Sequence, residues 1–269
     1  MITQNILGRQ QDWESRRPVL QAGFGELEPD LVLFQEAVVT DDYDQVADLL
    51  GDGYHVAHQT HRDDTGELGS GISIASRWPL GAQREIDLRV GPRTADFPAG
   101  ALVVDVLWDR AEQPLLLVNH KPSWPTDVEY EREAQAVRTA RFVEEIVERT
   151  GQHVLLGGDF DAMPEAGSVR FWRGLQSLDG TSVSYRDAWE LTHGAEPGAT
   201  FAPSVNPLVE PHWQADLDRR IDYLLVRCGR AGPTMRVVEC ERVFAGAVAG
   251  AWGSDHVGVM AWLDLDETG

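Results

Sequence analysis

Residues 155–164 read LLGGDFDAMP and set Asp159 and Asp161 on either side of Phe160 at the end of an apolar run. On an extended strand, residues two apart share a face, so the two carboxylates would project together. Like charges held that close resist joint ionisation unless a cation or a proton lies between them. A polar strand end breaking at Met163-Pro164 explains the decapeptide equally well taken alone. The choice rests on other positions. Asn5 in TQNIL, Glu36 in LVLFQE, His120 in LLLVNH and Asp255-His256 in GSDHVGV also end apolar runs, and Asp222 lies near the start of RIDYLLV. A charged group beside a buried strand is costly unless it is paired or ligated.

The elements that must carry these residues are short and apolar. Candidate strands are ITQNIL, LVLFQ (31–35), GISIAS (71–76), ALVVDVLW (101–108), LLLVNH (115–120), HVLLGGDF (153–160), RIDYLLV (220–226), RVVECERVF (236–244) and VGVMAWL (257–263). Their Val, Ile and Leu content suits strands buried on both faces. Helical periodicity is clearest over 129–149, with Asp127 as a cap, and further helices are expected over 13–26, 43–50 and 168–176. Strands with interspersed helices and no low-complexity linker predict an α/β or α+β fold with two sheets in a single domain, 1–269. The chain also divides coarsely into two halves, TQNIL to LLLVNH and HVLLGGDF to GSDH, each ending in a strand followed by His. That division fits two similar sheets packed together with their loops meeting at one edge.

Composition narrows the function. With 269 residues, 42% apolar content and nine tryptophans, the chain can bury a sizeable core. No apolar run approaches the roughly 20 residues that span a bilayer, and Met1 leads straight into a strand-like segment, so a cytoplasmic protein without membrane insertion is expected. Cys228 and Cys240 show neither zinc-type spacing nor a disulfide framework. Against 44 acidic residues stand 23 Lys plus Arg, a net charge of −21, with no basic cluster beyond pairs such as Arg16-Arg17 and Arg219-Arg220. Proteins that grip polyanions draw much of their affinity from basic faces that release counterions. Long nucleic acid is therefore a disfavoured partner, and nothing in the sequence fixes the oligomeric state.

Taken in order, Asn5, Gln35-Glu36, Ser76-Arg77-Trp78-Pro79, Asn119-His120, Gly158-Asp159-Phe160, Arg220-Ile221-Asp222-Tyr223 and Ser254-Asp255-His256 resemble the endonuclease/exonuclease/phosphatase superfamily of metal-dependent phosphoesterases. The resemblance runs from residue 3 to 263. It implies a four-layer α/β/β/α sandwich of two packed mixed β-sheets flanked by helices, with the site between the sheets. It also implies roles: Glu36 as principal metal ligand, assisted by Asn5, Asp255 and Asp159; Asp159 also orienting or deprotonating the attacking water; His256 at the phosphoryl group or in proton transfer, held by Asp222; and His120 on another phosphoryl oxygen or the leaving group. Hard oxygen ligands select Mg²⁺ or Mn²⁺, and a carboxylate behind an imidazole fixes its tautomer and raises its basicity.

Asp161 departs from the pattern, which usually has Asn there. An amide can donate a hydrogen bond to a phosphoryl oxygen, whereas an ionised carboxylate cannot. Three readings stay open: a metal ligand, a protonated donor, or a change of activity; ligation is expected, because a cation relieves the 159/161 repulsion directly. Lys121 and Trp124 in HKPSWP follow His120 where a loop would overhang the site, so Lys121 could pair a phosphate and Trp124 could stack on a ring. His55, His58 and His61 do not keep one strand face and read as a solvated loop, while the Pro-rich 193–219 stretch reads as a lid that shapes substrate choice. The expected activity is hydrolysis of a phosphodiester or phosphomonoester of a small, nucleotide or lipid-like substrate. The competing readings are a nuclease acting on DNA or RNA, and a fold recruited to a non-catalytic or biosynthetic role.

Overall fold

The computed structural model describes residues 1–213 and 216–265. The first part of the chain forms β1 (Ile2–Asn5), α1 (Trp13–Leu27), β2 (Leu31–Thr40), β3 (Tyr43–Asp44), α2 (Gln45–Leu50), β4 (His55–His58) and β5 (Ser70–Ser76). There follow β6 (Leu80–Asp87), β7 (Gly100–Val106), β8 (Leu115–Lys121), α3 (Glu129–Thr150), β9 (Val154–Asp159), α4 (Gly167–Trp172), β10 (Tyr185–Asp187), α5 (Ala188–His193) and β11 (Asp222–Arg227). The chain closes with β12 (Arg236–Val243) and β13 (Gly258–Asp264). One sheet has the order β12-β13-β1-β2-β5-β4, with β3 paired to β2; the other runs β10-β11-β9-β8-β7-β6. In each, a single parallel pair, β1 with β2 and β8 with β9, interrupts an otherwise antiparallel ladder.

Three apolar layers account for the four-layer sandwich. Leu33, Ile74, Leu102, Val104, Leu117, Leu155 and Leu224 fill the space between the sheets. Val103, Leu116, Val118 and Leu156 point the other way, onto Ala136, Ala140 and Val143 of α3. On the opposite side Ile2, Val32 and Phe34 pack against Leu20 and Phe24 of α1 and Val46 of α2. Alternate residues of β7, β8 and β9 thus serve two cores, which is why these strands are apolar at nearly every position.

The parallel pairs decide where chemistry can occur. A parallel connection must cross the sheet, here through α1 and α3, and it leaves both strand C-termini at the same edge. Asn5 and the Gln35-Glu36 step end up at that edge of one sheet, and Asn119 to Lys121 and Asp159 at that edge of the other. A clasp of buried amides joins the two edges: Gln35 Nε2 donates to Asn119 Oδ1 at 2.8 Å and to Thr3 Oγ1 at 3.1 Å. Asn119 Nδ2 donates to the carbonyls of Phe34 and Ser73.

Several local expectations need correction. The sheets do not divide the chain into halves, because β6 to β8 join the second sheet and β12 and β13 return to the first. β4, β6, β10 and α5 fall outside the expected elements, being short or edge segments with polar residues and little periodicity, and β3 takes the first two residues of the helix expected over 43–50. β4 places His55–His58 on a strand, where His58 bonds Ser73 and Asp44, so only the part beyond His58 is loop. Asp127 does not cap α3, which begins after Val128 without a side-chain cap; Asp127 pairs with Arg93 at 2.7 Å.

Candidate active site

Glu36 enters the site through a break in the ladder. The register of β2 against β5 shifts between Phe34 and Ala37, and Glu36 takes a left-handed backbone, φ 58°. A bulge of this kind re-aims one side chain while the strand continues. Asn5, at the end of the neighbouring β1, donates through Nδ2 to Glu36 Oε1 at 2.8 Å and to Asp159 Oδ2 at 3.0 Å. Its own Oδ1 accepts from the Leu7 N–H at 3.0 Å. The loops behind them are gathered by Arg16, which is buried and donates to the carbonyls of Ile6, Leu7, Gly8, Gln10 and Gly253.

Asp159 and Asp222 face each other across the β9/β11 ladder. Asp222 Oδ2 lies 2.9 Å from His256 Nδ1, and His256 Nε2 lies 3.9 Å from Asp159 Oδ2. His256 is anchored through its N–H to Ser254 Oγ, which in turn donates to the Asn5 carbonyl at 2.7 Å. Asn206, from the loop before β11, donates to the carbonyls of Ser254 and Asp255 and fixes that segment. Thr200 Oγ1 accepts from the N–H groups of Ile221 and Asp222.

Asp161 does share a side with Asp159, as its spacing predicts, but the cation between them belongs to the protein. Lys121 Nζ donates to Asp159 Oδ2 and to Asp161 Oδ2, both at 2.5 Å, with Glu36 Oε1 at 3.9 Å. Asp161 has φ 50°, and its N–H folds back onto Asp159 Oδ1 at 3.1 Å. Burial opposes the ammonium charge, but the three carboxylates outweigh it and keep Lys121 protonated. Burial would also raise the Asp159 carboxyl, yet Lys121 and His256 hold it down at about 2. Asp161 moves up to about 6 through burial and the charge of Asp159, with Lys121 opposing.

His120 does not join this group. Side chains alternate along β8, so when Asn119 and Lys121 point between the sheets His120 points at the helices. Its ring sits against Phe160 and Trp172, 3.2 Å from Thr139 Oγ1, and burial pulls it down to about 3, so it is neutral. His120, expected at a phosphoryl oxygen or the leaving group, thus lies on the helix side of its strand, while its neighbour Lys121 lies among the carboxylates. Trp124 lies on the rim, 45% exposed, edge-on to Trp213.

Sequence reasoning missed the place of Lys121 at the floor of the site, although a signal existed: it is the only lysine in a chain with 22 arginines. Arg16 and Thr200, which hold the loops, carried no comparable mark.

The residues fit a divalent ion. Five carboxylates, Glu36, Asp159, Asp161, Asp222 and Asp255, stand against the positive charges of Lys121 and His256. Asp255 is pushed up to about 6, by burial first and also by Glu36, while His256 opposes. A cation near Glu36 and Asp255 would relieve that strain, and Glu36, 24% exposed, is more open than Asp159, Asp161 or Asp222. Asp159, Asp222 and His256 also bring ligand atoms within 4.8 Å of one another, but the Asp222–His256 hydrogen bond already engages two of them.

A two-sheet sandwich that gathers carboxylates, an amide and an imidazole at one edge of its sheets has the layout of a metal-dependent phosphoesterase. The chain belongs to the Endonuclease/Exonuclease/phosphatase family, whose sequence profile matches residues 2–256. Its fold is similar to that of D. rerio TDP2 complexed with single strand DNA product, at 19% identity and TM-score 0.74 over 98% of this chain and 97% of that one. The human Nocturnin catalytic domain with bound sulfate anion matches at 17% identity and TM-score 0.73, over 98% and 92%. An endonuclease/exonuclease/phosphatase from Bacteroides vulgatus matches at 19% and 0.72, over 98% of both chains. No curated protein matches the sequence significantly. Among the described residues, no helix is long and apolar enough to cross a membrane.

Proposed function

We propose that this protein uses Mg²⁺ or Mn²⁺ to hydrolyse a phosphodiester or phosphomonoester of a small, nucleotide or lipid-like substrate. The observation that carries the reading is the buried chain Asp222–His256–Asp159 beside Glu36, at the open ends of the parallel strands. Glu36, Asn5 and Asp255 would hold the ion, which supplies charge neutralisation at the phosphoryl and leaving oxygens. Asp159, held ionised, accepts a hydrogen bond from the attacking water and aims it. Burial disfavours a charged His256, but Asp222 and Asp159 outweigh it and raise its pKa well above the usual value. As imidazolium it keeps Nδ1–H on Asp222 and offers Nε2–H to a phosphoryl oxygen as charge develops there. Trp124 supplies an apolar wall for the organic part of the substrate together with Trp213, and the 193–219 lid, whose residues 214 and 215 lie outside the described ones, is tied to the site through Thr200 and Asn206.

The net charge of −21 supports a small substrate over a long polyanion. The nuclease reading has its own support in the TDP2 neighbour, which was crystallised with a single-stranded DNA product. Purified protein with Mg²⁺ or Mn²⁺ separates the two when offered a nitrophenyl phosphodiester, a nitrophenyl phosphomonoester and nicked plasmid, with chelator controls. We expect metal-dependent release of nitrophenol. Plasmid cleavage without turnover of either small ester would favour the nuclease.

A further inference from the structure

We infer that Lys121 is a built-in cation that takes the place of a second metal ion between Asp159 and Asp161, so that the protein works with one divalent ion, and that Asp161 serves to position Lys121. The inference rests on the metal-dependent phosphoesterase reading above and assigns the division of labour within that site.

Nζ stands 2.5 Å from both Asp159 Oδ2 and Asp161 Oδ2, the point from which an ion would bridge the two carboxylates. A metal there would meet the ammonium head-on. Asp159 has little ligating capacity left in any case: Oδ2 accepts from Lys121 and from Asn5 Nδ2, and Oδ1 accepts from the Asp161 N–H. On the far side, Glu36 lies 3.9 Å from Nζ, so one divalent ion can be held there without displacing the lysine.

Residue type points the same way. The chain meets its need for positive charge with arginine 22 times and with lysine once. An ammonium is a compact point charge with three donors that can converge on oxygens in any direction, whereas a guanidinium is a flat fork suited to one carboxylate at a time. At a position 3% exposed and shared by two separate carboxylates, only the compact head fits. Asp161 completes the arrangement. Its left-handed backbone and its N–H bond to Asp159 turn its carboxylate back onto Nζ, so Lys121 is clamped from two sides. An Asn at 161 would keep the turn and an acceptor oxygen for Nζ but lose the negative charge that strengthens the clamp.

Metal counting tests this without reference to turnover. Chelator-stripped protein titrated calorimetrically with Mn²⁺ should bind one ion per chain. Lys121→Met, which leaves the two aspartates without a cation, should bind two, and its kcat on a nitrophenyl phosphodiester at limiting Mn²⁺ should fall, because Asp159 is then no longer held in place by Nζ. Asp161→Asn should still bind one ion while kcat falls. Two ions in the wild type, or one in a folded Lys121→Met, would overturn the inference. Should Lys121→Met fail to fold, the wild type itself decides. With lysine labelled by ¹⁵N its one side-chain ammonium gives one resonance, which should persist through saturation with Mg²⁺; loss of that protected signal on metal addition would show displacement and refute the assignment. Normal metal counts with no hydrolysis of any ester would sink the phosphoesterase reading and leave the cation assignment standing.

Discussion

His120 and Lys121 are neighbours in the chain but serve different layers of the molecule. The lysine lies between the sheets among carboxylates, while the histidine is wedged against Phe160 and Trp172 beneath α3. His120→Ala should therefore destabilise the fold by about 2–4 kcal/mol, the range for emptying a large buried site, and leave kcat essentially unchanged. Urea unfolding alongside an ester assay checks both, and a fall in kcat without loss of stability would return His120 to the site. The motif NHK in LLLVNHKP contains both candidates, and residue type alone favours histidine for proton transfer. Strand alternation settles the matter once Leu115 and Leu117 are known to face the other sheet. Likewise, the need for a cation between Asp159 and Asp161 was legible from their spacing. Its identity was not, because Lys121 approaches from a strand 38 and 40 residues away.

At the scale of elements, the site depends on departures from regular strand. Gly158, one residue before Asp159, has φ 141°, and a Cβ there would run into the carbonyl oxygen of His120. Only glycine lets β9 come this close to β8 while delivering Asp159 to its place. Gly158→Ala should cost on the order of 1–3 kcal/mol for backbone strain alone, with a further loss from the clash, and should depress activity by pushing Asp159 away from Lys121. Thermal unfolding measures the first and turnover the second; a neutral substitution would mean that the strands can part without consequence. The long buried strands and α3 announce themselves by apolar content and a 3.6-residue period. The bulge at Glu36 and the aim of the Asp161 carboxylate do not, because each side chain is held by a hydrogen bond from a residue more than 30 positions away, Asn5 for Glu36 and Lys121 for Asp161.

For the molecule as a whole, an excess of buried acid makes stability depend on what neutralises it. Asp161 and Asp255 sit at about 6 rather than 3.8, so between those values the folded chain holds protons that the unfolded chain has lost. Their contribution is complete below the unfolded value and disappears as pH rises through about 6. Asp159 has the opposite sign, its stabilisation vanishing only on acidification towards about 2. Metal-free protein should thus melt at a lower temperature at neutral pH than in mild acid, and Mg²⁺ or Mn²⁺ should raise the melting temperature more at neutral pH, where protons no longer compete. Scanning fluorimetry with and without chelator checks this, and a metal effect independent of pH would contradict it. The topology carries a further consequence, for synthesis. β1 lies beside β13 in the first sheet although Ile2 and Met260 are 258 positions apart, whereas the strands of the second sheet all fall within residues 80–227. A chain emerging from the ribosome can pair the second sheet as it is made, but it cannot close the first, or bring Asp255 and His256 to Asn5 and Glu36, until β13 has emerged. Until then the nascent chain is chemically silent.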